Sequence, residues 1–117
     1  MRRASQTVEP LAERLGLPVI MLDDLRERRL STESVDDHGA AVVWCWDNAA
    51  AALPGGESNL DAQRRGVAVI ELLARRHAGE TIVVGTHGNL LALILKHWDA
   101  TVNHAFWSRL SLPDIYA

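Results

Sequence analysis

The pattern of apolar and polar positions divides the chain into helices and short, continuously apolar segments. Apolar residues at helical spacing predict helices over residues 4–15, 40–53, 58–78 and 90–98. Two shorter runs, residues 17–22 and 82–84, have the length and composition of buried strands. The tail alternates from Trp107 to Ile115, which predicts an edge strand with a turn at Pro113-Asp114. This order of elements is typical of an α/β unit with parallel strands and a right-handed crossover.

Residues at the ends of the predicted helices support these boundaries. Gly16 and Gly79 follow the first and third helices, where glycine commonly ends a helix. Ser58 is a good N-cap for the third helix, with Asp61 as a weak capping-box partner. Pro10 falls within the first helix and predicts a bend or a late start there.

The strand-to-helix turn at residues 85–89 is the strongest candidate for a functional site. His87 and Gly88 follow the predicted strand 82–84 and precede the last long helix. In open α/β sheets, ligands bind at this end of the strands, and the unpaired amides at a helix amino terminus favour an anion. An imidazole at that position therefore indicates an anion site. The alternative is that His87 only caps the helix or bonds to the backbone.

Composition narrows the class of protein. The chain has 117 residues, 48% of them hydrophobic and 23% charged, with a formal net charge of −3. These values predict one globular domain without a basic surface for nucleic acid. No apolar run is long enough for a membrane span, and Arg2 and Arg3 precede no signal-peptide core, so we expect a cytoplasmic protein. Cys45 is the single cysteine, and no cluster has metal-ligand spacing, so we expect no disulfide, metal or other cofactor.

Four short motifs in a fixed order are more specific than any one of them alone. They are Arg-Ala-Ser-Gln-Thr at 3–7, Leu-Arg-Glu-Arg at 25–28, Pro-Gly-Gly-Glu-Ser at 54–58 and Thr-His-Gly-Asn at 86–89. In this order they resemble the histidine phosphatase (phosphoglycerate mutase-like) superfamily. The tail at 106–116 is similar to that of its small broad-specificity phosphatases. The resemblance implies a three-layer α/β/α fold with a mostly parallel sheet, formed by one domain over residues 1–117 and lacking the first strand and first helix.

The resemblance also implies phosphoryl transfer through a phosphohistidine. His87 matches the histidine that donates to the phosphoryl oxygens, and Arg3 matches the arginine that grips the phosphate. Glu27 matches the general acid that protonates the leaving oxygen, although its arginine-rich surroundings alone would favour a solvated charge run. Such donors suit the chemistry, because the transferring group spreads negative charge over several oxygens that need preorganised partners. A guanidinium fork matches two of those oxygens at once.

Further contacts are expected around this group. Gly88 and Asn89 are candidates for phosphate binding, and Arg28 and Ser58 are candidates for substrate contacts. Helix capping is an equally good interpretation for Asn89 and Ser58. The expected partner is a phosphorylated small molecule or phosphate itself.

The nucleophile motif of the superfamily, Arg-His-Gly, is absent from the sequence. Only one other histidine, His38, precedes a glycine, but Asp36-Asp37 stands before it instead of an apolar strand and an arginine. We therefore expect a truncated member, begun at a late methionine, with weak or no activity. Loss of a central strand would leave a sheet edge exposed, which predicts a homodimer or swapped oligomer through that edge.

Three functions are compatible with the sequence. The first is a phosphatase domain that is active only with its nucleophile segment. The second is a non-catalytic phosphate-binding or assembly module. The third is a phosphoglycerate mutase-type isomerase, which a short chain without insertions over the site disfavours weakly.

Overall fold

The structure is a computed structural model that describes residues 2–111, 113 and 115–117. The described residues form helices joined by irregular segments. The elements are α1 (Arg2–Leu15), a 3₁₀ turn (Asp23–Leu25), α2 (His38–Asp47), α3 (Asn59–Arg76), α4 (Gly88–Trp98) and α5 (His104–Trp107). The four predicted helices are therefore confirmed as α1 to α4, with α2 ending earlier than expected.

The helix ends form as the sequence predicts. Gly16 adopts a φ of 64°, in the left-handed region that glycine enters without strain. This turn lets the amide of Leu17 donate to the carbonyl of Ala12 at 2.9 Å and so closes α1. Ser58 caps α3 by accepting the amide of Asp61 at 3.0 Å. A late start near Pro10 is wrong, because α1 already begins at Arg2.

The expected three-layer α/β/α fold with a parallel sheet is wrong, because none of the described residues belongs to a strand. Residues 17–22 and 82–84 are non-helical, but they do not pair with one another or with any other described segment. An apolar, β-branched run favours extended backbone, whereas a strand also needs a ladder of hydrogen bonds to a second segment. Ile20 and Val83 are accordingly 76% and 58% exposed.

Two further expectations depended on that sheet. We expected two copies to pair through an exposed sheet edge, and the described residues contain no such edge. A homodimer or swapped oligomer stays a prediction, but the described part of the chain shows no sheet edge that would form it. The expected tail strand is also wrong at its start, because Trp107 ends α5 and residues 108–111 form no strand. The second residue of the expected turn, Asp114, lies outside the described residues.

The core forms where α3 packs against α4. Its buried members are Leu25 from the 3₁₀ turn, Ala62 from α3, and Leu90, Leu93 and Ile94 from α4. The 3₁₀ turn, called the acidic turn below because it contains Asp23 and Asp24, is held against α3 and α4 by the burial of Leu25 in this cluster. The candidate residue Glu27 lies two positions further along the same segment.

Gly66 lets the two helices approach closely. A Cβ added there would lie 2.8 Å from Cδ1 of Ile94 and 3.1 Å from Cδ1 of Leu90. We expect Gly66→Leu to lower the free energy of unfolding by about 1–3 kcal/mol, because the larger side chain overpacks this contact. Urea unfolding followed by circular dichroism measures the effect.

Gly39 in α2 provides the matched control for this substitution. A Cβ there meets only Oδ1 of Asp37, at an ordinary 3.4 Å. Gly39→Leu should leave stability unchanged or raise it slightly, through better helix propensity. Equal losses in the two variants would show that close helix packing at Gly66 is not the cause.

Candidate functional site

The carboxylate of Glu27 lies at the amino end of α4. Its Oε2 accepts the backbone amide of Asn89 at 3.2 Å, and its Oε1 accepts the amide of Leu90 at 3.1 Å. Oε1 also accepts the amide of Arg28 at 2.8 Å. The first turn of a helix presents unpaired amides and a partial positive charge, which a carboxylate satisfies. The anion-binding amides expected from the sequence therefore exist, and an acidic side chain of the chain itself bonds two of them.

His87 occupies the N-cap position of α4. Its backbone is extended, with φ −114° and ψ 152°, and its carbonyl accepts the amide of Leu91 at 2.8 Å. The ring makes no capping hydrogen bond to the described backbone. His87 is therefore the cap residue of α4, as the alternative interpretation had it, but it caps through its backbone and not through its ring. Its imidazole is half-buried beside the amides that hold Glu27.

A hydrogen bond fastens the two segments that carry these residues. The hydroxyl of Thr86 donates to the carbonyl of Leu25 at 3.0 Å. Thr86 directly precedes His87, and Leu25 lies two residues before Glu27. The structure thus brings together Glu27, His87 and the first turn of α4.

Helix α1 packs against the same turn. A Cβ added to Gly85 would lie 2.7 Å from the carbonyl oxygen of Ala4 and 3.0 Å from Cγ1 of Val8. Only glycine allows this approach, which places the first turns of α1 next to the segment leading into His87.

Arg3, adjacent to Ala4, is exposed and forms no ion pair with a described carboxylate. Its contact with a phosphate stays a prediction.

Arg28 and Asn89 are buried, and their side chains lie against α2. Nη1 of Arg28 donates to Sγ of Cys45 at 3.8 Å, and Nε1 of Trp46 donates to Oδ1 of Asn89 at 3.1 Å. Nε of Arg28 and Nδ2 of Asn89 are buried without a partner among the described atoms. In this arrangement both side chains support the site from the α2 side. The substrate contact of Arg28 and the phosphate contact of Asn89 stay predictions.

The other candidates have simpler surroundings. Ser58 is buried, and its hydroxyl donates to Oδ2 of Asp61 at 2.7 Å while it caps α3, which supports the capping interpretation. Gly88 is the first residue of α4. His38 begins α2 and is exposed.

Sequence reasoning missed an arginine that holds the acidic turn in place. Arg65 of α3 forms a bidentate ion pair with Glu57, with Nε to Oε1 at 2.7 Å and Nη2 to Oε2 at 2.8 Å. Its Nη1 also donates to the carbonyls of Asp24 and Arg26, at 2.6 and 2.9 Å. These carbonyls flank the buried Leu25. One guanidinium therefore connects α3, the segment before it and the turn that leads to Glu27.

The ion pair lowers the pKa of Glu57 below its ordinary 4.5. The hydrogen bond from Arg65 is the largest cause, burial opposes it, and the charges of Arg65 and Arg26 add to the lowering. A carboxyl group whose pKa falls on folding stabilises the fold when ionised. That contribution is complete above pH 4.5 and is lost as the pH falls through the pKa of the folded state.

We expect this linkage to appear in a comparison of wild type with Glu57→Gln. Wild type should be more stable at neutral pH, and the difference should narrow steadily below pH 4.5. Urea unfolding over a pH series measures it, with Glu71→Gln as the control because the pair of Glu71 with Arg75 is exposed and long, at 3.8 Å. A difference that is constant with pH would contradict the assignment.

A cavity of about 310 Å³ opens beside Arg26 and Glu57. It is lined by Arg26, Arg29, Ala52, Gly55, Gly56, Glu57, Ser58 and Asp61. Its walls carry both charge signs, and neither Glu27 nor His87 contributes to them. It is a separate feature from the amino end of α4.

Among the described residues, no three His, Cys, Asp or Glu side chains are grouped so that they could hold a metal ion. No described helix combines the length and the apolar character that a membrane crossing needs.

Comparison with known proteins identifies the class. Residues 1–114 match the family model of the histidine phosphatase superfamily (branch 1). The chain belongs to that superfamily. A solved structure of a mycobacterial glucosyl-3-phosphoglycerate phosphatase is similar to it, with 27% sequence identity and a TM-score of 0.68. The similarity covers 92% of this chain and 57% of the phosphatase, so the chain spans little more than half of that protein. A search of curated proteins gave no match.

Proposed function

We propose that the chain provides the phosphate-binding and proton-donating part of a phosphatase that hydrolyses phosphomonoesters through a phosphohistidine. One observation carries the proposal: the Glu27 carboxylate is bonded to the amides of Asn89 and Leu90, immediately beside His87. Membership of the histidine phosphatase superfamily supports the same chemistry.

Each residue has a role that its position supports. His87 donates a hydrogen bond from its ring to a phosphoryl oxygen, and Gly88, the first residue of α4, offers its backbone amide to the same anion. Arg3, on the helix that packs against Gly85, binds further phosphoryl oxygens. Glu27 donates the proton that the leaving alcohol oxygen requires.

Turnover in this proposal needs a histidine nucleophile that residues 1–117 do not supply in an Arg-His-Gly motif. Without it, we expect the chain to bind phosphate but to hydrolyse esters weakly or not at all. Splitting the reaction through a covalent phosphohistidine is what makes hydrolysis fast in this scheme.

The proposed substrate is a phosphorylated small molecule. The similar solved protein is a phosphatase, which favours hydrolysis over a mutase-type isomerisation. A non-catalytic phosphate-binding module is the second candidate, and the missing Arg-His-Gly motif is the observation that favours it. Phosphate binding without any turnover, even when the coding sequence upstream of Met1 is included, would select this second candidate.

Phosphate titration followed by amide NMR tests the proposal. We expect inorganic phosphate to shift the amide signals of residues 87–90, and His87→Ala to weaken the affinity at least about tenfold by removing a charge-assisted donor. His97→Ala is the matched control, because His97 lies exposed near the far end of α4 against Trp98. Shifts confined to other residues, or equal affinities of the two variants, would refute the site.

A further inference from the structure

We propose that Arg65 is a positioning residue that fixes the carboxylate of Glu27 on the amino end of α4. The role of Glu27 as proton donor rests on the proposed function. The positioning itself rests only on contacts within the chain.

Arg65 uses its guanidinium as a rigid fork. It bonds both carboxylate oxygens of Glu57 and the carbonyls of Asp24 and Arg26, and its side chain is only 12% exposed. A planar guanidinium presents its donors in fixed directions, so these four acceptors define one geometry. A lysine has a single ammonium on a flexible stem and does not reproduce it.

The bond to Arg26 acts directly on Glu27. The carbonyl of Arg26 and the amide of Glu27 belong to one planar peptide unit, so fixing the carbonyl also fixes the orientation of the Glu27 backbone. The buried Leu25 holds the preceding residue in the core. The direction in which the Glu27 side chain leaves the backbone is therefore set on its amino-terminal side by Arg65.

The partner of Arg65 holds the carboxyl-terminal side of the same segment. The backbone amide of Glu57 donates to the carbonyl of Arg29 at 2.8 Å. The Glu57–Arg65 pair thus grips the carbonyls of Arg26 and Arg29, and Glu27 lies between them. Because the backbone is fixed on both sides of Glu27, its carboxylate is held in the position from which it accepts the amides of α4.

The test follows the hydrogen bonds that Glu27 accepts. In ¹⁵N-labelled full-length chain, the amide protons of Asn89 and Leu90 should exchange slowly, because both amides donate to the Glu27 carboxylate. In Arg65→Gln, we expect hydrogen exchange at both amides to rise about tenfold, because the bonds form only part of the time. Arg65→Lys should not restore slow exchange at these amides.

Arg64→Gln is the matched control. Arg64 is the adjacent residue of α3, it is exposed, and among the described residues it pairs only with Asp61, at 3.6 Å. Its substitution should leave the rate of hydrogen exchange at the amides of Asn89 and Leu90 unchanged. The amides of Leu93 and Ile94 serve as an internal reference, because a general loss of stability raises exchange in the whole of α4.

Three results would overturn the positioning role. They are unchanged hydrogen exchange at Asn89 and Leu90 in Arg65→Gln, full recovery of slow exchange in Arg65→Lys, and a rise in exchange that is equal along α4. If Arg65→Gln does not fold, Glu57→Gln replaces it, with a smaller effect expected because the carbonyl bonds of Arg65 remain. If the wild-type chain does not bind phosphate, the proposed function is refuted. The test of Arg65 remains valid in that case, because it measures only hydrogen bonds within the chain.

Discussion

Leu90→Ala should lower the free energy of unfolding by about 2–5 kcal/mol, the largest loss of stability that we expect from a single substitution in this chain. Leu90 has no exposed surface and belongs to the cluster that joins α3, α4 and the 3₁₀ turn. Truncation removes buried methyl groups and leaves a cavity that rigid helices fill poorly. The marginal stability of a small domain makes a loss of this size a large fraction of the total. Urea unfolding measures it.

Leu91→Ala is the control for that substitution. The two leucines are adjacent in α4, but Leu91 is only partly buried and is not a member of the core cluster. Leu91→Ala should lower the free energy of unfolding by clearly less than Leu90→Ala does. Losses of equal size would mean that the α3–α4 contact is not the centre of the fold.

The second large effect concerns Glu27 and the affinity for phosphate. Glu27→Gln should bind inorganic phosphate about tenfold more tightly at neutral pH, because the substitution removes a negative charge from the end of α4 where the anion binds. The same variant should lose any ester hydrolysis by about 100-fold or more, because an amide donates no proton to the leaving oxygen. Isothermal titration calorimetry measures the affinity.

Opposite signs for binding and turnover distinguish this account from a purely structural role of Glu27. Glu80→Gln is the control, since Glu80 is exposed and bonds His77 beyond the end of α3. Glu80→Gln should change neither the affinity for phosphate nor the rate of ester hydrolysis. Weaker phosphate binding in Glu27→Gln would show that the carboxylate supports the site only by holding the helix.

The helices could be predicted from the sequence because their signals are local. The spacing of apolar residues, the left-handed Gly16 and the Ser58 cap each depend on neighbours a few positions away. The segments 17–22 and 82–84 were a different problem. Their residue types predict extended chain, but whether a ladder forms depends on a partner elsewhere, which local pattern does not contain.

The candidate site was predictable only in part for the same reason. The motifs named Glu27 and His87, and the structure connects Glu27 to the turn that follows His87. The bond between Trp46 and Asn89 joins residues from different helices, and no sequence spacing indicates it. Arg65 did leave a signal. It lies one turn after the buried Ala62, on the inner side of α3, where a charged residue needs a partner.

A crystal structure of the chain soaked with tungstate, a phosphate mimic, tests the central claim most directly. We predict one tungstate bound at the amino end of α4, within hydrogen-bond distance of the His87 ring and beside the Glu27 carboxylate. Tungstate in the cavity lined by Arg29 and Gly55, with the end of α4 empty, would contradict it.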